Sequence, residues 1–274
     1  MKKIFEIFSL KGKVAVVTGG TGVLGSSISQ GLGEAGAKIC LLHLHPRKEV
    51  VENLRKKKIV VRDFLVDVLR RESLEICREK ILKEFGRIDI LVNCAGGNVK
   101  EATCFPEQKF FDLPLSGLEK VVGLNLFGGA ILPSQVFGKA MVKNEEGGSI
   151  INISSMASLR PLTRVVGYSA SKAAVNNFTQ WLAVHLAREY SPRLRVNAIC
   201  PGFFLTPQNR WLLIEETGNL TPRGKSVLAH TPMGEFGKPE DLIGVSIWLA
   251  SSASRFVTGA VIPVDGGFSA FSGV

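Results

Sequence analysis

The sequence is poor in the residues that build metal centres and disulfide frameworks. Its five cysteines, Cys40, Cys77, Cys94, Cys104 and Cys200, are odd in number and include no CxxC pair. Complete disulfide pairing and a zinc ribbon are thereby excluded, and reduced thiols in a cytoplasm are expected. The four histidines, His43, His45, His185 and His230, form no HExxH, and no metal is expected. No apolar run approaches the ~18 residues of a membrane-spanning helix, and no membrane partner is expected. In the N-terminal MKKIFEIFSLKGK, Glu6 interrupts the apolar stretch and no small-residue cleavage site follows, so a signal peptide is not expected. The net charge is +10, yet lysines and arginines are scattered and no basic block stands out. Nucleic acid is therefore not the expected partner, and a basic field suits a protein that collects small anionic ligands. Tyrosine is scarce too: of the two, Tyr168 and Tyr190, only Tyr168 has a lysine four residues on, Lys172.

What is present is a series of short apolar runs. Seven of them, at 13–20, 37–44, 57–64, 87–97, 148–155, 194–202 and 259–267, are apolar nearly throughout rather than alternating. That is the mark of strands covered on both faces, as in a parallel sheet. Helical periods lie between them. One stops at Gly36, a suitable helix C-cap. One contains Pro133, where a break or kink is expected. One has Pro239 near its first turn. The alternation predicts a single α/β domain over residues 1–274, a doubly wound Rossmann-type fold with a seven-stranded parallel sheet and helices on both faces. Residues 203–235, rich in Pro, Thr, Gly and Asn, break the alternation. They read as a substrate-loop insertion over the carboxyl edge of the sheet, where such folds bind ligands.

The first strand runs into Thr18-Gly19-Gly20-Thr21-Gly22-Val23-Leu24-Gly25 and then a helix. Its GxGxxG spacing lets the backbone turn tightly and approach a pyrophosphate, which the helix N-terminus also attracts. The acid that holds a ribose 2′-hydroxyl in NAD enzymes is missing from the end of the second strand. His43, His45 and Arg47 stand there instead. They suit a 2′-phosphate, which favours NADP, with NAD still open.

Taken together, these segments resemble the short-chain dehydrogenase/reductase family from about Leu10 to Gly267. Thr18, Gly19 and Gly25 match the family's glycine turn, with Val23 where its middle glycine would stand. Asp67-Val68 resembles the pair that contacts adenine. Asn93-Cys94-Ala95-Gly96 resembles the family's N-N-A-G, with Cys94 replacing the second asparagine. Asn125, Ser155, Tyr168 and Lys172 match the catalytic set, and Pro201, Gly202 and Thr206 match the nicotinamide-side segment. The resemblance implies that Tyr168 exchanges the substrate hydroxyl proton as hydride moves to or from the nicotinamide. Lys172 would lower its pKa and bind the nicotinamide ribose, Ser155 would bind the substrate oxygen, and Asn125 would hold a water that relays the proton outward. A tyrosine near its reference pKa of ~10 needs such cationic neighbours to act at neutral pH. The small residues around Tyr168 leave room for cofactor and for helix packing. The resemblance also implies a homo-oligomer, a dimer or tetramer.

Arginines cluster around Tyr168 in the sequence: Arg160, Arg164, Arg210 and, with Lys225, Arg223. An arginine fork matches a carboxylate in two-point contact. Asn98 and Asn209 are further candidates, for binding hydroxyls. A small polyhydroxy acid is the expected substrate. Segments such as SLRPLTR, PGFFLTPQNR and VDGGFSAFSGV resemble the branch of D-mannonate oxidoreductases, also called D-fructuronate reductases. The alternatives are a 5-ketogluconate-type reductase, a 3-oxoacyl carrier-protein reductase, and a cofactor-binding regulator without activity.

Overall fold

Side chains along a strand alternate between the two faces of a sheet, and β1 (Val14–Thr18) shows what that does here. Val14 and Val16 enter one buried cluster, while Ala15 and Val17 enter another. β2 (Lys38–His43) divides in the same way, with Cys40 and Leu42 against Ile39 and Leu41. Apolar residues at successive positions therefore feed two cores, one on each face. The structure is a computed structural model that describes residues 3–206 and 209–273.

The other strands are β3 (Val61–Leu65), β4 (Ile90–Asn93), β5 (Gly148–Ile153), β6 (Leu194–Pro201) and β7 (Val261–Val264). All pair in parallel, in the order β3-β2-β1-β4-β5-β6-β7. One face carries α1 (Val23–Glu34), α2 (Lys48–Lys56) and α9 (Asp241–Ala250). The other carries α3 (Arg71–Phe85), α4 (Leu115–Val122), α5 (Leu132–Met141) and α6 (Val166–Glu189). The reversal of strand order between β1 and β4 opens a crevice at the carboxyl edge. The fold is the single-domain, doubly wound Rossmann type expected.

The expected cap at Gly36 holds. α1 ends at Gly36, which takes φ +107° while Ala37 N–H reaches back to Leu32 O at 3.0 Å. The two outer strands depart from the expected double burial. In β3 only Val61 is fully buried, Arg62 and Asp63 are exposed, and Pro263 of β7 is exposed.

Pro133 does not break its helix. Between α4 and α5, residues Gly123–Ile131 widen to a π-helix, and Leu132 N–H donates to Phe127 O, five residues back. The wider turn accommodates the proline ring at the start of α5. The continuous stretch Leu115–Met141 spans 27 residues with a mean hydropathy of 1.4 in its most apolar part, long and apolar enough to cross a membrane. This corrects the reading that nothing in the sequence has that length. Phe137, Met141 and Val136 of this stretch are buried in the core, which accounts for its apolar character.

The opposite edge of the sheet is pinned by charge. Asp89, 3% exposed, accepts from Val14 N–H at 2.9 Å and from Arg87 Nε at 2.9 Å. Its backbone continues the ladder to Val14 and Ser149, so one residue ties β1, β4 and β5. Nearby, buried Arg195 donates to Ser254 Oγ at 2.8 Å and to Ser251 O at 3.1 Å, at the negative end of α9. Burial pushes its pKa down to about 10.

Candidate active site

The crevice holds a groove of about 570 Å³ that runs from the glycine turn to Tyr168. At one end the turn is shaped by missing β-carbons. Gly19 takes φ +61°, and a Cβ there would sit 3.0 Å from Ala95 Cα. A Cβ at Gly25 would lie 2.3 Å from Gly19 O. The N-terminus of α1 has no side-chain cap and no acid in its first turn. Gly22, Val23, Leu24 and Gly25 line the groove there. Unpaired N–H groups and the helix dipole give this end the chemistry of a pyrophosphate site, and these residues fit a dinucleotide. Val23 begins the helix at the displaced glycine's position. Thr18 and Gly20 lie behind the lining. The buried Thr18 hydroxyl accepts from Cys94 N–H at 3.0 Å and Ala95 N–H at 3.1 Å, locking β1 to the loop after β4. Gly20 N–H donates to Leu42 O.

His43, His45 and Arg47 line the same end, beside Thr21 and Leu44. His43 is 6% exposed, with Nε2 3.3 Å from Asp63 Oδ2 on β3. Arg47 Nη1 reaches Thr21 O at 3.4 Å, and its Nε lies 3.8 Å from Glu49. Asp67 and Val68 fall outside the lining. Asp67 Oδ1 accepts from Leu69 N–H at 2.9 Å, and Val68 is buried near Gly128.

The other end gathers Ser155, Tyr168 and Lys172 with Cys94, Ala95, Gly96, Pro201, Gly202 and Thr206. Tyr168 and Lys172 share a face of α6 because they are four residues apart. Lys172 Nζ donates to Ile153 O at 2.8 Å and lies 5.7 Å from the centre of the Tyr168 ring. Burial pushes Lys172 down to about 8. Burial also raises Tyr168 above its ordinary value, while the Ser155 hydroxyl draws it back. Ser155 Oγ accepts from Ala157 N–H at 3.1 Å, which leaves its own proton to donate. Burial holds the Cys94 thiol at about 11, so it stays protonated.

The structure places two asparagines differently from the reading of the sequence. Asn93 points away from the groove into a buried network, donating to Asn152 Oδ1 at 2.8 Å and Ser134 Oγ at 3.0 Å. Asn125 is fully buried, and its amide group is committed to Gly97 O, Gly97 N–H and Val121 O at 2.6, 3.1 and 2.8 Å. Its carboxamide oxygen would lie 2.7 Å from a Cβ at Gly96. Asn125 therefore fixes the 96–97 loop beside Lys172.

Of the substrate candidates, Ser155, Tyr168 and Asn209 line the groove. Asn209 anchors its own turn, accepting from Thr206 N–H at 2.8 Å and donating to Phe204 O at 2.8 Å. Asn98 is exposed and donates to Thr103 Oγ1 at 2.7 Å. Arg160 donates to Ser269 O at 3.1 Å. Arg164 is exposed just before α6, and Arg210 is exposed at the start of α7 (Arg210–Leu213). The sequence reading missed Thr21, Leu44, Gly97, Ile153, Ser154, Phe203 and Phe204, which also line the groove. Phe203-Phe204 directly follows Pro201-Gly202 and was the one legible signal among them. The 203–235 segment contains α7 and α8 (Pro222–Ala229), and its first part lines the groove through Phe203, Phe204, Thr206 and Asn209.

A family model described as Enoyl-(Acyl carrier protein) reductase matches residues 21–269. The "Uncharacterized oxidoreductase UxuB" of Bacillus subtilis (strain 168) is 48% identical, over 97% of this chain and 98% of its own. The chain belongs to the short-chain dehydrogenase/reductase family. It is an NAD(P)-dependent oxidoreductase of that family. A 2-dehydro-3-deoxy-D-gluconate 5-dehydrogenase of Dickeya dadantii (strain 3937) is 38% identical, over 97% of this chain and 99% of its own. Among solved structures, a candidate D-mannonate oxidoreductase from Haemophilus influenza with bound NAD superposes with a TM-score of 0.91. It is 40% identical and covers 99% of this chain and 100% of its own. Each of these short-chain dehydrogenase/reductase relatives matches this chain along nearly its whole length.

Proposed function

We propose that the chain interconverts a keto-sugar acid and its hydroxy acid, D-fructuronate and D-mannonate first, with Tyr168 as the proton donor and acceptor. The observation that carries the chemistry is the continuous groove joining the bare glycine turn to the Ser155–Tyr168–Lys172 group. The nicotinamide supplies or accepts the hydride when bound. Ser155 donates a hydrogen bond to the substrate oxygen, and the Tyr168 hydroxyl gives that oxygen its proton in reduction or takes it in oxidation. Lys172 carries its charge against the tyrosine ring and favours the phenolate. Asn125 acts as a positioning residue through the 96–97 loop. The sugar-acid class is supported by the similarity to D-mannonate and gluconate oxidoreductases. The gluconate-type resemblance equally favours a 5-keto sugar acid as a second reading. Buried or half-buried free thiols support a cytoplasmic setting. The exposed apolar Trp181 and Val184 on α6 support a homo-oligomer.

The test is oxidation of NADH and NADPH with D-fructuronate, with 5-keto-D-gluconate and acetoacetyl thioester run in parallel. Rapid oxidation with D-fructuronate is expected. Turnover confined to the thioester would overturn the sugar-acid reading.

For the cofactor, the geometry supports NAD ahead of NADP. The Asp63 carboxylate stands behind His43, and Glu49 lies near Arg47. Each acid places negative charge beside a side chain that would otherwise attract a 2′-phosphate. Asp63→Asn is expected to raise the NADPH-to-NADH preference by up to roughly fivefold, the size of one partly exposed charge interaction. Fluorescence titration of each cofactor measures it directly. An unchanged ratio would remove Asp63 from cofactor choice.

A further inference from the structure

Tyr168, Lys172 and Asn176 follow one another at four-residue steps along α6 and so share one face of the helix. The first two line the groove, and Asn176 stands one turn beyond them, partly buried. That face is stitched to the end of β5 level by level. Lys172 Nζ donates to Ile153 O at 2.8 Å, and Ser154 Oγ donates to Lys172 O at 3.1 Å. At the next level Asn176 Nδ2 donates to Ser158 Oγ at 2.7 Å, and the Ser158 hydroxyl donates to Ser155 O. Ser155 O also accepts from Ser158 N–H at 3.0 Å, while Ser155 Oγ accepts from Ala157 N–H at 3.1 Å. A third element joins this group. The buried Cys200 thiol, at the end of β6, donates to Asn176 Oδ1 at 3.7 Å and lies 3.6 Å from Ser158 Oγ. Cys200 directly precedes Pro201 and Gly202, which line the groove.

The donors run in one direction, from Cys200 through Asn176 and Ser158 to Ser155. A hydroxyl has one proton to give. Because Asn176 supplies Ser158 with a donor, the Ser158 proton is turned toward Ser155 O. An amide suits this place because it accepts on one atom and donates from another, whereas a carboxylate only accepts and an aliphatic chain does neither. Helix-to-sheet packing alone does not call for such a group: Leu182 and Leu186 of the same helix make their contact with apolar side chains. Successive hydrogen bonds in partly dry surroundings polarise and stiffen one another. Here they end on the residue whose hydroxyl serves the substrate oxygen.

We propose that Asn176 is a positioning residue for Ser155. Through Ser158 it fixes the turn after β5, so that the Ser155 hydroxyl is held toward the substrate oxygen. Through Cys200 it sets that turn against the Pro201–Gly202 wall of the groove. The proposal deepens the catalytic reading of Ser155 and rests on it.

The experiment compares N176L, S158A, C200A, S155A and the double variant S155A/N176L with wild type. Values of kcat and KM are measured with NADH and whichever compound of the panel above reacts fastest. N176L and S158A are each expected to lower kcat by roughly three- to thirtyfold, below the hundredfold that a displacement of about 1 Å can cost. NADH affinity by fluorescence titration should stay at its wild-type value. C200A is expected to lose no more than about twofold, because a thiol is a weak donor. In the S155A background N176L should lower kcat by less than about twofold further, since the group it positions is already gone. Hydrogen exchange followed by mass spectrometry gives a readout independent of turnover. N176L should speed exchange at Ala157 and Ser158 and leave peptides of β1 and β4 unchanged. A wild-type kcat in both N176L and S158A overturns the proposal, whether or not Tm falls. An N176L loss as large in S155A as in wild type overturns it too, because Asn176 would then act by another route. If S155A itself keeps the wild-type rate, the catalytic reading of Ser155 fails and the proposal falls with it. If no compound of the panel reacts, the functional reading fails separately and exchange judges the positioning: faster exchange confined to the turn upholds it, and unchanged or general exchange overturns it.

Discussion

Tyr168→Phe is expected to lower turnover by about 10²- to 10⁴-fold, the usual contribution of a positioned general acid or base. The substitution removes one oxygen and leaves a ring of the same shape beside Lys172 Nζ, now 5.7 Å from its centre. NADH affinity should therefore be nearly unchanged by fluorescence titration. The pH dependence supplies a second readout. Burial holds Tyr168 above its ordinary pKa, so the hydroxyl is protonated at neutral pH and ready to donate in reduction. Oxidation needs the phenolate, which gains population as pH rises. Wild-type oxidation is thus expected to climb toward alkaline pH while reduction persists near neutrality. The residual activity of Tyr168→Phe should lose that alkaline climb. A variant that kept both its rate and the climb would show that another group moves the proton.

The second large effect is on stability. Asp89→Ala is expected to destabilise the fold by about 3 kcal/mol, in the lower range for breaking a buried charged pair. The substitution leaves Val14 N–H without its acceptor and removes the carboxylate shared by Arg87 and Lys13. Those two cations are 36% and 31% exposed, so water relieves part of the loss. Scanning calorimetry should show the Tm lower by roughly 6–12 °C for a chain of this size. Asp89→Asn, which keeps an acceptor for Val14, is expected to fall between the two. A Tm for Asp89→Ala close to wild type would mean that the β1–β4–β5 junction does not depend on this side chain.

The central strands were legible because burial on both faces leaves a continuous apolar signature, and β1, β2, β5 and β6 fall inside the expected runs. The start of β3 was not. Lys58 takes φ +62°, and Ile59 N–H returns to Leu54 O at 3.1 Å, closing α2 with a left-handed turn that usually carries glycine. With lysine there, no stop signal is visible, and 57–60 read as strand. At the site, the spacing from Tyr168 to Lys172 reports a shared helix face and needs no tertiary information. The directions of Asn93 and Asn125 depend on packing against Asn152 and Gly97, which spacing does not encode. The arginines were hardest to sort: Arg160 is separated from its partner, Ser269, by 109 positions.

The exposed outer strands carry a consequence for assembly. An unpaired sheet edge is a template for another chain, and the two edges here meet that hazard by different means. Along β3, Arg62 and Asp63 place opposite charges in solvent. On β7, Pro263 has no N–H to offer an incoming strand. Sheet-to-sheet growth is discouraged at both ends, so the homo-oligomer proposed above would have to use side-chain surfaces such as the exposed Trp181 and Val184 of α6. Copies joined through helices can form a closed set, whereas strands added edge to edge would have no natural stopping point.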